Sequence, residues 1–441
     1  MSTDDVKTIE PLSGPLSGSC VVPGDKSISH RAVLFSAMAE GASRLSGVLD
    51  SSDVRASINA VRKLGAEVTL EKQPDGSLSG GVVGWGAKGP KQPDGPIYCA
   101  NSGTTARLLM GILAPWDIEV KITGDESLSR RPMRRITAPL MKMGVSFDPA
   151  GAETLPIVER GTRDLRAISY DSPMASAQLK TAVLLAGVYA NGITTVNEPS
   201  TSRNHTELML PEFGVETTAS ELSASVNGPA ALKSCEVVVP GDPSSAAFLI
   251  CAALLKKGSA IQIENVSLNT ARTGFFRTLE RMGADIEVHR TGSSGKEPFG
   301  VMSACYSGKL RGCEVPGSKI ASLVDEVPVL ALVAAFARGV TVFRDAGELR
   351  AKETDRLTAV RNGLAQLGVD SWIEGDDLFV EGNPDLEIPD GIVFDSLGDH
   401  RLAMTWSLVG LTGEKPVGIK NFSCVDVSYP DFLKDIERLV R

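Results

Sequence analysis

One signature constrains the fold of this chain more than any other. A helical pattern closes on an apolar residue, a glycine follows, and a short strand pattern begins. It occurs in RKLGAEVTL around Gly65, MKMGVSF around Gly144 and PEFGVETT around Gly214. It returns in ERMGADIEV around Gly283 and AQLGVDSWI around Gly368. A glycine just past a helix end supplies the left-handed conformation that stops the helix and redirects the chain. A last helical pattern, PDFLKDIERLVR, ends the sequence without its strand. Counting it, six α/β units of roughly 75 residues are expected.

A second kind of helix alternates with the first. AVLFSAMAEG, ARLLMGILA, AQLKTAVLLAG, AAFLICAALLKKG, VPVLALVAAFARG and HRLAMTWSLVG are apolar almost all round. A helix without a polar face is buried on every side. The other type, as in VRASINAVRKLG, carries charge on one side and faces solvent. Each unit therefore reads strand, buried helix, strand, solvent helix, strand. That is unlike a barrel or doubly wound sheet in which the sheet is the inner layer. PGDKSISHR at 23–31 and PGDPSSAAF at 240–248 are matched starts, so the units group three and three with a boundary near 240. At 441 residues the length suits two or three domains.

Composition excludes several classes. Lys and Arg number 45 against 54 Asp and Glu, a net charge of −9, which disfavours a nucleic-acid partner. The seven cysteines are scattered, with neither a disulfide framework nor a zinc-ligand spacing, and the four histidines are too dispersed for a metal cluster. The polar start MSTDDVKTIE is unlike a signal peptide, and no uncharged apolar run reaches 18 residues. A cytoplasmic enzyme with no membrane span, metal or cofactor is expected.

Against that acidic background, cations collect where apolar helices begin. Lys26, Ser27 and Arg31 open the first, and Asn101, Gly103 and Arg107 the second. Ser176, Ala177 and Gln178 open the third. Free N–H groups, hydroxyls and the helix dipole there favour anions. Arg131 and Arg203 lie in the linking segments, and guanidinium forks suit phosphate and carboxylate. In the second half Asp325 precedes one apolar helix and Asp399–Arg401 another. Lys352 and Arg356, four apart, are read as one helix face, with Glu353 nearby. Substrates with more than one anionic group are implied, and Asp325, Lys352 and Glu353 are acid and base candidates.

Taken in order, PGDKSISHRA, LDSSDVR, NSGTTAR, RRPM, SPMASAQLKTAVLLAG, SRNHTE, GDPSSAAF, RAKETDRL and DHRLAM closely resemble the EPSP synthase family, over nearly the whole chain. The resemblance implies an α/β, two-domain enolpyruvyl transferase fold of six βαβαββ units with buried parallel helices, of the inside-out α/β barrel type. It implies one domain over 23–239 and a second over 1–22 plus 240–441, with the active site in the cleft between them and closure on substrate. The implied reaction moves the enolpyruvyl group of phosphoenolpyruvate to the 5-hydroxyl of 3-phosphoshikimate and releases phosphate, a step toward chorismate and the aromatic amino acids.

The resemblance also assigns roles. Lys26 touches both substrates. Ser27, Arg31, Ser176, Ala177, Gln178, Arg203, Asp325 and Lys352 hold 3-phosphoshikimate. Asn101, Gly103, Arg131, Gln178, Arg356 and Arg401 hold phosphoenolpyruvate. Asp325 is the favoured base, and Lys352 and Glu353 pass protons. The partners are these two small molecules, with no nucleic acid, membrane or cofactor, and the enzyme is a monomer. Two departures are visible: Ala177 replaces a Ser of some members, and Val427 stands where many carry Lys. Gly103 leaves room for the inhibitor glyphosate. The alternatives are a UDP-N-acetylglucosamine enolpyruvyl transferase, disfavoured because Gly124–Arg134 has no Cys, and a non-catalytic anion-binding repeat protein.

Overall fold

Six small sheets organise the chain, and the buried helices sit beneath them. The computed structural model describes residues 5–151 and 153–440; Met1–Asp4 of the polar start, Ala152 and Arg441 lie outside the described residues. By contacts the chain divides into two compact units, one of Pro23–Pro240 with Ser293–Glu297, the other of Met1–Val22, Gly241–Gly292 and Pro298–Arg441.

Five sheets have four strands and the sixth has three. In a representative sheet, Ile97–Tyr98 runs parallel to Glu119–Thr123. That strand is antiparallel to Ile157–Arg160, which is antiparallel to Ser146–Asp148. The six-unit count from the repeat therefore stands, with one more strand per unit than the residue pattern gave. The last unit does lack a strand of its own. The N-terminal strand Val6–Ile9 supplies it, pairing antiparallel with Val417–Lys420 from Val6↔Lys420 to Ile9↔Val417. Two edge strands are also exchanged. Ser17–Val21, which leads into the helix at Lys26, lies beside Ala260–Ser267. Glu236–Val238, which leads into the helix at Pro243, lies beside Ala42–Val48.

The helix reading follows its physical basis. Lys26–Met38, Gly103–Leu113 and Ala177–Gly187 form the centre of one core; Pro243–Leu255, Val327–Ala335 and His400–Thr412 form the centre of the other. Every residue from Val327 to Ala335 is buried, so side chains from several neighbours meet this helix all round. The strands are half-buried: in Gly339–Phe343, Thr341 and Phe343 turn inward while Gly339 and Val340 face out. Helices approach closely where side chains vanish. A Cβ on Gly111 would lie 2.1 Å from the carbonyl oxygen of Ala182, which fixes the contact between the second and third buried helices. Gly65, Gly144, Gly214, Gly283 and Gly368 all have positive φ, between 76° and 113°, as the repeated stop signal requires. Among the described residues no helix is long and apolar enough to cross a membrane.

Candidate active site

Each cationic segment found in the sequence lies at the start of a buried helix or beside one. In the unit Pro23–Pro240, Asp25 caps the first helix, its side chain accepting from the Ile28 N–H at 2.9 Å. That cap leaves Lys26 and Ser27 on the first turn, half-buried. Lys26 Nζ sits 2.9 Å from Asp53 Oδ2, on the first turn of the outer helix Ser52–Lys63. One turn further in, Arg31 is 3% exposed. Its Nε donates to Thr206 Oγ1 and its Nη2 to Thr181 Oγ1, both at 2.8 Å, and its Nη1 to the Ser27 carbonyl at 3.1 Å. Burial brings its pKa down to about 10, with Glu207 and Asp25 pulling the other way and Arg203 adding to the fall. Arg31 stays charged at neutral pH and is fixed in place before any ligand arrives. His30 beside it is driven well below its usual pKa by burial, then by Lys26 and Arg31. It is a neutral core residue, 2.8 Å from the Ser57 hydroxyl.

The second and third helix starts meet through polar side chains. Arg131 Nη2 donates to Asn101 Oδ1 at 2.6 Å, and Asn101 Nδ2 donates to Asp125 Oδ2 at 2.8 Å. Arg107 Nη1 donates to Gln178 Oε1 at 2.8 Å, and Gln178 Nε2 to Thr104 Oγ1 at 3.0 Å. Gly103 lies among these groups. A Cβ there would fall 2.7 Å from Arg107 Nη1 and 3.6 Å from Arg131 Nη1. The missing methyl thus keeps a small space between two guanidinium groups.

Ser176 caps the third helix, accepting from the Leu179 N–H at 3.4 Å, with Ala177 as the first helical residue. The Ser176 N–H donates to Glu198 Oε1 at 2.8 Å. Glu198 Oε2 takes the Ser202 hydroxyl, next to Arg203, and Lys180 Nζ, each at 2.8 Å. Lys180 also meets Glu207 Oε1 at 2.8 Å.

In the other unit the central group is Arg356, 1% exposed. Its Nε donates to Asp399 Oδ2 at 2.7 Å, its Nη1 to Asp325 Oδ1 at 3.1 Å and its Nη2 to Glu353 Oε2 at 2.6 Å. Burial alone would lower its pKa, but the carboxylates of Asp399, Glu353 and Asp325 outweigh burial and raise it. Arg401 stands 3.5 Å from the other Asp325 oxygen and 3.6 Å from Glu326. Asp325, Glu353, Arg356 and Arg401 are therefore brought together. Asp399 both caps its helix, accepting from the Arg401 N–H at 2.9 Å, and holds Arg356.

One local reading is corrected. Lys352 and Arg356 do not share a helix face. The helix begins at Arg356 with Asp355 as its cap, and Lys352 follows the short 3-10 segment Ala346–Ala351. The capping carboxylate ends the backward growth of the helix, so Lys352 points elsewhere and pairs with Glu348 at 2.5 Å. Val427, the position of the expected lysine, closes the 3-10 segment Phe422–Val427.

Sequence reasoning passed over several groups that support the site: Asp53, Asp125, Thr181, Glu198 and Thr206. One signal was available. Lys180 is a lone charge in an otherwise apolar helix, and a buried ammonium requires an acidic partner.

Buried guanidinium groups at helix starts, beside carboxylates and an ammonium able to move protons, on repeated βαβαββ units, define a transferase of anionic substrates with the enolpyruvyl transferase fold. The model of the EPSP synthase (3-phosphoshikimate 1-carboxyvinyltransferase) family matches residues 11–436. A 3-phosphoshikimate 1-carboxyvinyltransferase of Parvibaculum lavamentivorans is 44% identical over 430 residues, covering 96% of this chain and 94% of its own. One from Bacillus pumilus is 41% identical over 428 residues, covering 97% and 98%. The solved EPSP synthase of Acinetobacter baumannii superposes with a TM-score of 0.86 at 38% identity, over 98% of each chain. The chain belongs to the EPSP synthase family.

Proposed function

We propose that this chain carries out its family's reaction with the residues described above. It transfers the carboxyvinyl group of phosphoenolpyruvate to the 5-hydroxyl of 3-phosphoshikimate in aromatic biosynthesis. Neither substrate brings a redox change, and the step needs only charge neutralisation, positioning and proton transfer. A base takes the 5-hydroxyl proton while an acid protonates the methylene carbon of phosphoenolpyruvate. The alkoxide oxygen bonds to the central carbon, giving a tetrahedral ketal. Loss of the methyl proton and of phosphate then restores the vinyl group.

In this reading Asp325 is the base, and Lys352 and Glu353 carry the other protons. Lys26 serves both substrates. Ser27, Arg31, Ser176, Ala177, Gln178, Arg203, Asp325 and Lys352 hold 3-phosphoshikimate. Asn101, Gly103, Arg131, Gln178, Arg356 and Arg401 hold phosphoenolpyruvate. The observation that supports this most is the meeting of two pairs, Arg131 with Asn101 and Arg107 with Gln178, around Gly103. Three segments, around 101–107, 131 and 178, converge there, with guanidinium groups placed for a phosphate or carboxylate. We also read the enzyme as a cytoplasmic monomer, which light scattering in solution tests.

Phosphate release is the test. It is expected only when both substrates are present, and to fall at least about 100-fold in Glu353→Ala, the size of effect general acid–base groups supply. Release with UDP-N-acetylglucosamine in place of phosphoshikimate would move the chain to the alternative activity, which the matches do not favour.

A further inference from the structure

We propose that Glu198 is a positioning residue for phosphoshikimate, holding the two segments assigned to that substrate in register. The inference rests on the functional reading above and deepens it.

The Glu198 side chain is 3% exposed, yet makes three polar contacts. Oε1 accepts the backbone N–H of Ser176, the residue that starts the Ser176–Gln178 segment. Oε2 accepts the hydroxyl of Ser202, which precedes Arg203. Oε2 also pairs with Lys180, one turn into the same helix that Ser176 caps. One carboxylate therefore ties the segment before the third buried helix, the segment before Arg203 and the helix itself.

Neutralising Lys180 does not by itself require Glu198. Glu207 already meets Lys180 Nζ at 2.8 Å, and its second oxygen, Oε2, is buried without a hydrogen-bond partner. The second carboxylate is accounted for by its contacts to Ser176 and Ser202. Charge matters as well as shape. A carboxylate makes stronger bonds to N–H and O–H donors than an amide oxygen does. Glu207, which shares Lys180 with Glu198, and Arg203 both act on the buried Arg31.

The test is steady-state phosphate release by the full chain, with each substrate varied separately. Glu198→Gln keeps the shape and removes the charge. It is expected to raise KM for phosphoshikimate about tenfold while kcat and KM for phosphoenolpyruvate change less than about twofold. Ser202→Ala removes one partner at a half-buried position and leaves the Lys180 pair intact. It is expected to raise the same KM about threefold, and the double variant to be no worse than Glu198→Gln alone, because both act through one bond. Unchanged KM for phosphoshikimate in both variants overturns the inference, as does an equal rise for both substrates. Wild-type enzyme that releases no phosphate sinks the functional reading, and this inference with it; an active wild type with unaffected variants sinks this inference alone.

Discussion

The two Pro-Gly-Asp helix starts share a sequence pattern and have opposite electrostatic designs. Asp25 and Asp242 both cap their helices, accepting from Ile28 N–H at 2.9 Å and Ser244 N–H at 2.8 Å. After Asp25 come Lys26 and Ser27, both half-buried. After Asp242 come Pro243 and Ser244, both buried. Arg272 donates to Asp242 at 2.9 Å and to the Ser244 hydroxyl at 2.8 Å, and Ser244 donates in turn to Glu326. The second start is closed by buried neighbours; the first carries a half-buried cation on its first turn, Lys26, paired with Asp53. A repeated unit thus supplies an anion-binding helix start twice, and local side chains decide whether it stays available. Pro at the first helical position fits the sealed version, since no N–H is offered there.

Several substitutions can break or sharpen that contrast. The largest effect is expected on the sealed side. Arg272 is 2% exposed and pairs with Asp242 at 2.9 Å. Arg272→Met leaves buried acid groups without it, at a cost of about 3–5 kcal/mol in unfolding free energy, measured by denaturant titration. A loss below about 1 kcal/mol would show that the network is not what holds this start together. On the open side, Gly103→Ala places a methyl against the end of Arg107. It is expected to raise KM for phosphoenolpyruvate about fivefold and the glyphosate inhibition constant by more, because the guanidinium that holds Gln178 must shift. Equal inhibition of both proteins would show that the space at Gly103 does not admit the inhibitor.

The smallest effect concerns a carboxylate sealed without any partner. Glu159 is 1% exposed, and neither oxygen has a hydrogen-bond partner. Burial raises its pKa well above 4.5, so the folded chain keeps this proton to higher pH than the unfolded chain does. The unfolded chain releases that proton near 4.5, so stability falls as pH rises through and above that value. Glu159→Gln is expected to match the wild type near pH 4 and to exceed it by about 1–2 kcal/mol at pH 8, read from melting curves at both pH values. A Gln variant no more stable at pH 8 would mean the carboxylate is solvated or paired.

Much of this architecture was legible in the sequence because it rests on local rules. All-round apolar helices are buried whatever packs on them, and the five glycines mark helix ends through their own backbone conformation. The cationic helix starts were legible for the same reason. What escaped were partners fixed by long-range packing. Arg31 finds Thr181 and Thr206, 150 and 175 residues away, and no local pattern announces that pairing. The Lys352–Arg356 face failed for a different reason. Asp355 is a helix-capping residue type, and giving it weight would have started the helix at Arg356. The extra strand of each four-stranded sheet, such as Ile157–Arg160, was missed because it follows the strand after the glycine and pairs back on it, with no helix between to mark it.

The most direct test measures phosphate release from phosphoenolpyruvate and shikimate 3-phosphate by Lys26→Ala and Ser244→Ala beside the wild type. The two variants each remove one polar group, from the open and from the sealed start. The account predicts that Lys26→Ala loses at least about 100-fold in kcat/KM, as loss of a charged substrate contact does, while folding normally. Ser244→Ala keeps kcat/KM within about threefold and loses about 1–3 kcal/mol of stability, because Arg272 and Glu326 each lose a buried partner. Comparable activity losses in both variants, or an active Lys26→Ala enzyme, would contradict it.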